Sequence, residues 1–366
     1  MRKYRVAQVG CGHRGVVHID GWLDNPDRFE LVGLCDLDRG KMDEAVASRD
    51  MDPKLYDDAD AMLAELQPDV FCFSTQPDVR LAMVQLAAKH GVIGLAFEKP
   101  MATSVGEAKE IARLCNAHGI KTIVSHQQKY LSSMQKAKSI VDSGDIGDIV
   151  EVRSTSTCGL TDLGTHYMDY MLWANNRERV RWVVGHVHGT RQLDHHHPTP
   201  DFFVARMEFA NGVRGLMEIG ILAPHHMQNA PVWLDSRLTI TGTHGYAWAD
   251  TDGRWGAFTR ASGGEVLGGT GPGYDPEKPG AGWITQQATM LQGPYLRDFA
   301  DWLDDDAKEH PCNLDIALHG FEVLQAGCLS ALDHTRKDLP LSDPADEVDI
   351  FERMKAELSP VPPLED

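Results

Sequence analysis

The stretch Arg5-Val6-Ala7-Gln8-Val9-Gly10-Cys11-Gly12-His13-Arg14-Gly15 decides how the rest of the chain is read. Val6, Ala7 and Val9 suit a buried strand, and the strand breaks into Gly10-x-Gly12-x-x-Gly15. Each glycine has a physical task in a dinucleotide-binding turn: Gly10 permits the tight turn, Gly12 lets backbone approach a pyrophosphate, and Gly15 lets the next helix pack on the strand. That helix aims its free N–H groups and positive dipole end at phosphate. Val16, Ile19 and Leu23 share one helical face, and Leu31-Val32-Gly33-Leu34-Cys35 reads as a second buried strand ending at Asp36. An acidic residue there is placed to hold a ribose 2′-hydroxyl, which favours NAD, while Arg39 leaves NADP open.

Outward from this turn, strand and helix alternate. Helices are predicted near 39–48 and 57–66. The run Val70-Phe71-Cys72-Phe73, apolar on both faces, suits a central parallel strand. It ends in Ser74-Thr75-Gln76-Pro77, at the strand end where open parallel sheets bind ligands. A helix from Val79 to Lys89 leads to the strand Val92–Phe97 and then to Glu98-Lys99-Pro100. Ser104 and Glu107 read as a capping box for the next helix, and the strand Ile120–Ser125 closes a doubly wound parallel (Rossmann) domain over 1–125.

Past residue 126 the pattern changes. A helix near 133–142, a strand Ile149–Thr155 and a helix over 162–174 precede strands near 180–188, 202–209, 213–219 and 237–241. Asn211-Gly212 marks a two-residue hairpin. Strands without intervening helices imply an open-faced mixed or antiparallel sheet in a second domain, 126–366. The glycine-rich stretch 251–283 reads as irregular loop, followed by helices at 294–307 and 315–335 and an extended tail ending Pro360-Val361-Pro362-Pro363.

Composition narrows the partners. The 366 residues carry 35 Lys+Arg against 54 Asp+Glu, a net charge of −19 with no basic run. That argues against nucleic acid and anionic membrane as partners. No apolar run is long enough to span a bilayer, and Met-Arg-Lys-Tyr-Arg leads directly into a strand, so no signal peptide is expected. Seven scattered cysteines without a CxxC pair suggest buried thiols in a reducing cytoplasm.

Two groups of residues carry chemistry. Lys99 follows an apolar strand in the nucleotide-binding domain, close to where a nicotinamide would lie, although an ordinary surface lysine is the plainer alternative. In Asp162-Leu-Gly-Thr-His166-Tyr-Met-Asp169, an α-helix would place Asp162, His166 and Asp169 on one face, with a carboxylate orienting the imidazole. A solvated polar face or a structural Asp–His pair fits that spacing equally well. His195-His196-His197-Pro198 reads as a polar loop at the rim of a site; the sharper alternatives are a metal held by imidazole ligands or contact with substrate hydroxyls, and no metal site is expected.

Together, the glycine turn, Glu98-Lys99-Pro100 and Asp162-x-x-x-His166-x-x-Asp169 resemble the glucose–fructose oxidoreductase/inositol dehydrogenase (Gfo/Idh/MocA) family. Ser143-Gly-Asp-Ile-Gly-Asp148, Phe209-Ala-Asn-Gly212 and Thr241-Gly-Thr-His-Gly245 extend the likeness in order along nearly the whole chain. The resemblance implies a catalytic trio of Lys99, Asp162 and His166. It also implies cofactor contacts from Gly10, Gly12, His13, Arg14, Gly15, Asp36, Ser74, Thr75, Gln76, Glu98, Lys99 and Gln127. Substrate contacts are expected from Lys99, Tyr130, Asp162, His166 and His197, and a homodimer or homotetramer is expected through the C-terminal sheet. The implied activity is hydride transfer from a secondary hydroxyl of a sugar, cyclitol or glycoside to NAD (NADP possible). The alternative is a redox-assisted glycosidase or lyase working through a keto-sugar, and a few relatives are non-catalytic dinucleotide sensors. Three features depart from the family pattern: Thr75-Gln76-Pro77-Asp78-Val79-Arg80 replaces a Pro-Asn turn and puts Arg80 where a His is usual, Gln127-Gln128-Lys129 replaces Asn-Arg-Arg, and the linker from Thr155 to Asp162 is short.

Overall fold

The computed structural model describes residues 2–194, 198–227, 230–347 and 349–358, and only the backbone at residues 288 and 289. The chain divides into two compact units. One comprises Met1–Thr103, Glu107–Gln127 and Ala288–Leu318, and the other Ser104–Gly106, Gln128–Gln287 and His319–Asp366.

The first unit runs β1 (Tyr4–Val9), α1 (His13–Leu23), β2 (Phe29–Cys35), α2 (Arg39–Ala47), β3 (Lys54–Tyr56), α3 (Ala59–Leu66), β4 (Val70–Phe73), α4 (Arg80–His90), β5 (Gly94–Phe97), α5 (Val105–Ala117) and β6 (Lys121–Val124). Its six strands are all parallel in the order β3-β2-β1-β4-β5-β6. This is the doubly wound sheet the sequence predicts, with its order reversing between β1 and β4. All four residues of β4 are fully buried, as a strand covered by helices on both faces requires. The capping carboxylate Glu107 accepts from the N–H and hydroxyl of Thr103, at 2.8 and 2.9 Å.

Whereas the sequence reading assigns all of 126–366 to the second domain, Ala288–Leu318 packs with the first unit. Arg28 is 1 % exposed and pairs with Asp301 and Asp304, while Tyr4 Oη donates to Asp304 at 2.6 Å. Asn313 bridges to Ile123. A return of the chain after so long an excursion leaves no local signal in the sequence.

The second unit is built from α6 (Ser132–Asp142), β7 (Ile149–Ser156), α7 (Thr165–Ala174), β8 (Val180–His188), β9 (Phe202–Phe209), β10 (Arg214–Gly220), β11 (Ser236–Gly242), β12 (Gly245–Asp250), β13 (Arg254–Phe258), β14 (Val266–Thr270) and β15 (Lys337–Asp338). Its nine-stranded sheet has the order β14-β13-β12-β11-β7-β10-β9-β8-β15, with only β7 and β10 parallel. A hairpin forms at Asn211-Gly212, but its loop is three residues rather than the expected two: Phe209 N–H donates to the Val213 carbonyl, Gly212 N–H donates to the Phe209 carbonyl, and Gly212 takes the left-handed position at φ +83°. The remaining helices are α8 (Ala281–Gln286), α9 (Gln292–Asp304), α10 (Leu314–Asp333) and α11 (Ile350–Glu357).

The stretch 251–283 is not irregular throughout: it supplies β13, β14 and the first half of α8. Its glycines mislead because they serve packing. A Cβ on Gly256 would strike the Trp248 indole, and one on Gly269 the Trp255 indole. These strands trade side chains for room beside tryptophans. The predicted extended tail at 360–363 lies outside the described residues.

Candidate active site

The nucleotide turn is shaped by sterics. Gly10 has φ +92°, and a Cβ there would lie 2.8 Å from the Ser74 carbonyl oxygen; a Cβ on Gly15 would collide with the carbonyl of Gly10. At Gly12 an added Cβ meets nothing within 4 Å, so that side of the turn is open. Gly12 is also the N-cap of α1, and no side chain caps the helix. Free N–H groups at such an end favour an anion.

Asp36, at the end of β2, is held by the chain it faces. Its Oδ2 accepts from Cys11 N–H at 2.7 Å and its Oδ1 from Asp38 N–H at 2.9 Å. On the other side of β1, the Ser74 and Thr75 side-chain oxygens after β4 are buried and lack a hydrogen-bond partner. A buried hydroxyl without a partner costs free energy unless something supplies one. Gln76 is exposed at the entry to a short turn, and His13 is exposed in the first turn of α1.

Behind the turn lies a buried polar cluster that sequence reading saw only in part. Arg14 reaches Glu98 Oε1 with Nε and Nη2, each at 3.0 Å, and His18 Nε2 meets the same oxygen at 3.0 Å. His18 Nδ1 lies 2.9 Å from the Gln292 amide, and Ser125 Oγ lies 3.3 Å from Nε2. The Gln127 amide, turned to satisfy both neighbours, donates to the Ser125 carbonyl at 2.8 Å and accepts from Arg14. Arg14, Glu98 and Gln127, all expected at the cofactor, therefore also hold one another. His18 had a signal in the sequence: it stands one helical turn after Arg14. Gln292 had none.

Lys99 follows β5 and is half-buried, joined to Pro100 by a cis peptide bond. It belongs to the first unit, whereas Asp162 and His166 belong to the second.

In the second unit, one feature differs from expectation. Residues Leu160–Gly164 form a π-helical turn, and α-helix begins only at Thr165. Gly164 N–H reaches back to the Gly159 carbonyl at 3.2 Å, closing the wider turn. A side chain at Gly164 would crowd Leu160 Cδ1 at 2.9 Å, so glycine permits this shape. Asp162 and His166 are therefore not separated by four α-helical steps, and the one-face argument holds only for His166 and Asp169 within α7. His166 is 4 % exposed, and its Nδ1 lies 2.9 Å from Tyr170 Oη, one turn along. Asp169 forms a buried ion pair with Lys129. Removing one member of such a pair costs about 3–5 kcal/mol. Lys129 thus has a structural partner at a position where the family pattern differs.

Tyr130 is half-buried at the end of a short helical turn. His195, His196 and His197 lie outside the described residues. Among the described residues no group of three His, Cys, Asp or Glu side chains could hold a metal ion. Nor is any helix among them long and apolar enough to cross a membrane.

An open glycine turn beneath an uncapped helix end, a fixed carboxylate after β2 and unpartnered hydroxyls after β4 fit a dinucleotide laid across the switch point of a Rossmann sheet. The protein is of the dinucleotide-binding α/β class. More narrowly, the chain belongs to the Gfo/Idh/MocA family: residues 4–126 match the oxidoreductase family's NAD-binding Rossmann fold, and 134–248 its C-terminal domain.

Among curated relatives, D-apiose dehydrogenase of Paraburkholderia graminis is 29% identical over 147 residues, 40% of this chain and 38% of that protein. D-apiose dehydrogenase of Rhizobium rhizogenes is 23% identical over 266 residues, 67% of this chain and 73% of that protein. Inositol 2-dehydrogenase of Salmonella typhimurium is 22% identical over 251 residues, 65% of this chain and 71% of that protein. An oxidoreductase from Agrobacterium radiobacter, crystallised with NAD+, L-tartaric acid and magnesium, has a TM-score of 0.76 at 19% identity, covering 92% of this chain and 98% of its own; that likeness establishes the fold.

Proposed function

We propose that this protein is an NAD-dependent dehydrogenase that oxidises a secondary hydroxyl of a sugar, cyclitol or glycoside. The observation that carries the reading is His166, buried and held at Nδ1 by Tyr170, in a chain whose other unit is an NAD-binding domain with Lys99 at the end of β5. NAD, when bound, supplies the hydride acceptor. Gly10, Gly12, Gly15 and the first turn of α1 would hold its phosphates, Asp36 a ribose diol, and Ser74 and Thr75 further polar groups.

The remaining chemistry belongs to the side chains. Oxidation removes a hydroxyl proton and a hydride from one carbon and leaves a carbonyl. His166 takes the proton at Nε2, with its Nδ1–H donated to Tyr170 Oη. Lys99 would donate to the substrate oxygen as negative charge develops there, and its charge would favour the neutral imidazole that accepts the proton. Asp162 orients the substrate hydroxyl or the other two groups. In this reading the enzyme works in the cytoplasm as a homodimer or homotetramer, assembled through the nine-stranded sheet. Support for assembly comes from that sheet's exposed apolar positions, such as Val184 on β8, 45% exposed; seven free cysteines suit a reducing compartment.

A panel of sugars, cyclitols and glycosides, assayed separately with NAD and NADP for formation of reduced nicotinamide, tests the proposal. Turnover with a free polyol or sugar supports it. Product formed with no net reduction of cofactor would replace it by the glycosidase or lyase reading.

A further inference from the structure

The carboxyl ends of β4 and β5 are joined by one side chain. Arg80, the first residue of α4, is 2% exposed. Its Nη2 donates to the Thr75 carbonyl at 3.0 Å and to the Lys99 carbonyl at 3.2 Å. Its Nε and Nη1 are buried without a hydrogen-bond partner. Burial pushes the guanidinium down to about 10, opposed by the nearby charges of Glu98, Glu107 and Asp78. A buried guanidinium with unmet donors is costly for stability, so two carbonyl bonds alone are a poor reason for it to be there.

What those carbonyls belong to explains the placement. In the NAD-dependent reading, Asp36, held at the end of β2 by the Cys11 and Asp38 N–H groups, would take the adenosine ribose of the dinucleotide. The other half then falls across the switch point, over the ends of β4 and β5, where Thr75 and Lys99 stand. We propose that Arg80 is a positioning residue for the nicotinamide end of the cofactor site, tying the Thr75 and Lys99 main chains together so that both side chains meet the ligand already ordered. The inference rests on the NAD-dependent reading above. It also gives a physical role to an arginine where the family pattern has histidine: the two hydrogens of one guanidinium nitrogen, Nη2, reach two carbonyls that a single imidazole N–H cannot serve together.

Calorimetric titration of the full-length protein with NAD and with ADP-ribose, which lacks the nicotinamide, separates the two ends of the site. Arg80→Met should weaken NAD binding about tenfold, the scale of losing hydrogen bonds from a charged donor, and leave ADP-ribose within about twofold. Arg80→Lys keeps the charge and one donor group, so its NAD affinity should fall between Met and wild type, again with ADP-ribose unchanged. Should Arg80→Met not fold, that selective loss in Arg80→Lys carries the test. Unchanged NAD affinity, or equal losses for both ligands, overturns the inference alone. Wild-type protein that fails to bind NAD overturns the cofactor reading as well.

Discussion

Arg14 and Glu98 are joined across the nucleotide turn, with Nε and Nη2 of the arginine each 3.0 Å from one carboxylate oxygen. One opens α1 and the other follows β5, so the pair ties the phosphate-facing helix to the strand that presents Lys99. Burial works to raise the Glu98 carboxyl, but the Arg14 charge, the His18 hydrogen bond and the Lys99 charge outweigh it and hold the group well below its ordinary 4.5. A carboxyl depressed in the folded state contributes its full stability above the unfolded value and loses it as pH falls through the folded one. Glu98→Gln should therefore cost on the order of 2 kcal/mol at neutral pH, with a gap that narrows in acid. Thermal melts of both proteins across that range check this; a gap independent of pH would contradict it.

The proposed ribose contact of Asp36 makes a prediction about cofactor choice. Two backbone N–H groups hold its carboxylate and Arg39 Nε is 3.0 Å from Asp43; in the proposed site that carboxylate would repel a 2′-phosphate. NAD should give the higher kcat/KM, and Asp36→Ala should weaken NAD binding and narrow the preference. A higher kcat/KM with NADP in the wild type would reverse the assignment.

Lys99→Ala should lower kcat by about 10²-fold or more while NAD affinity changes little, since the proposed contact forms with charge developing in the transition state. Steady-state rates and a cofactor titration measured together decide this. Near-normal turnover would remove Lys99 from the mechanism.

The histidines at 195–197 invite a metal test. Prolonged chelation should leave activity intact, because the proposed mechanism takes its proton acceptor from His166 and its charge stabilisation from Lys99. Loss of activity on chelation, restored by added Mn or Zn, would require a metal in the account.

How legible the protein is in its sequence varies with the range of the contacts. The glycine turn, the apolar run Val70–Phe73 and the Asn211-Gly212 hairpin are local patterns, and each forms where periodicity and turn chemistry put it. The strands Arg254–Phe258 and Val266–Thr270 were hidden because their glycines are spaces for Trp248 and Trp255. At the candidate site, Asp162 and His166 look like one helical face because a π-turn cannot be told from an α-turn by spacing alone. Tyr170 was readable at four residues past His166. Gln292 beside His18 joins residues far apart in the chain, a contact that only folding creates.

The central claim is that His166 is the proton acceptor, and the pH dependence of kcat/KM for alcohol oxidation, measured side by side in wild type, His166→Asn and Lys99→Ala, tests it most directly. The wild-type profile should rise through one ionisation and level off. His166→Asn should lose most activity and, in its residual rate, that ionisation as well, whereas Lys99→Ala should be slow but keep it. As companion variants, Asp162→Asn and Tyr170→Phe should shift the ionisation to lower pH, since each removes a group that favours the imidazolium. Retention of the ionisation in His166→Asn together with its loss in Lys99→Ala would contradict the account and make the lysine the base.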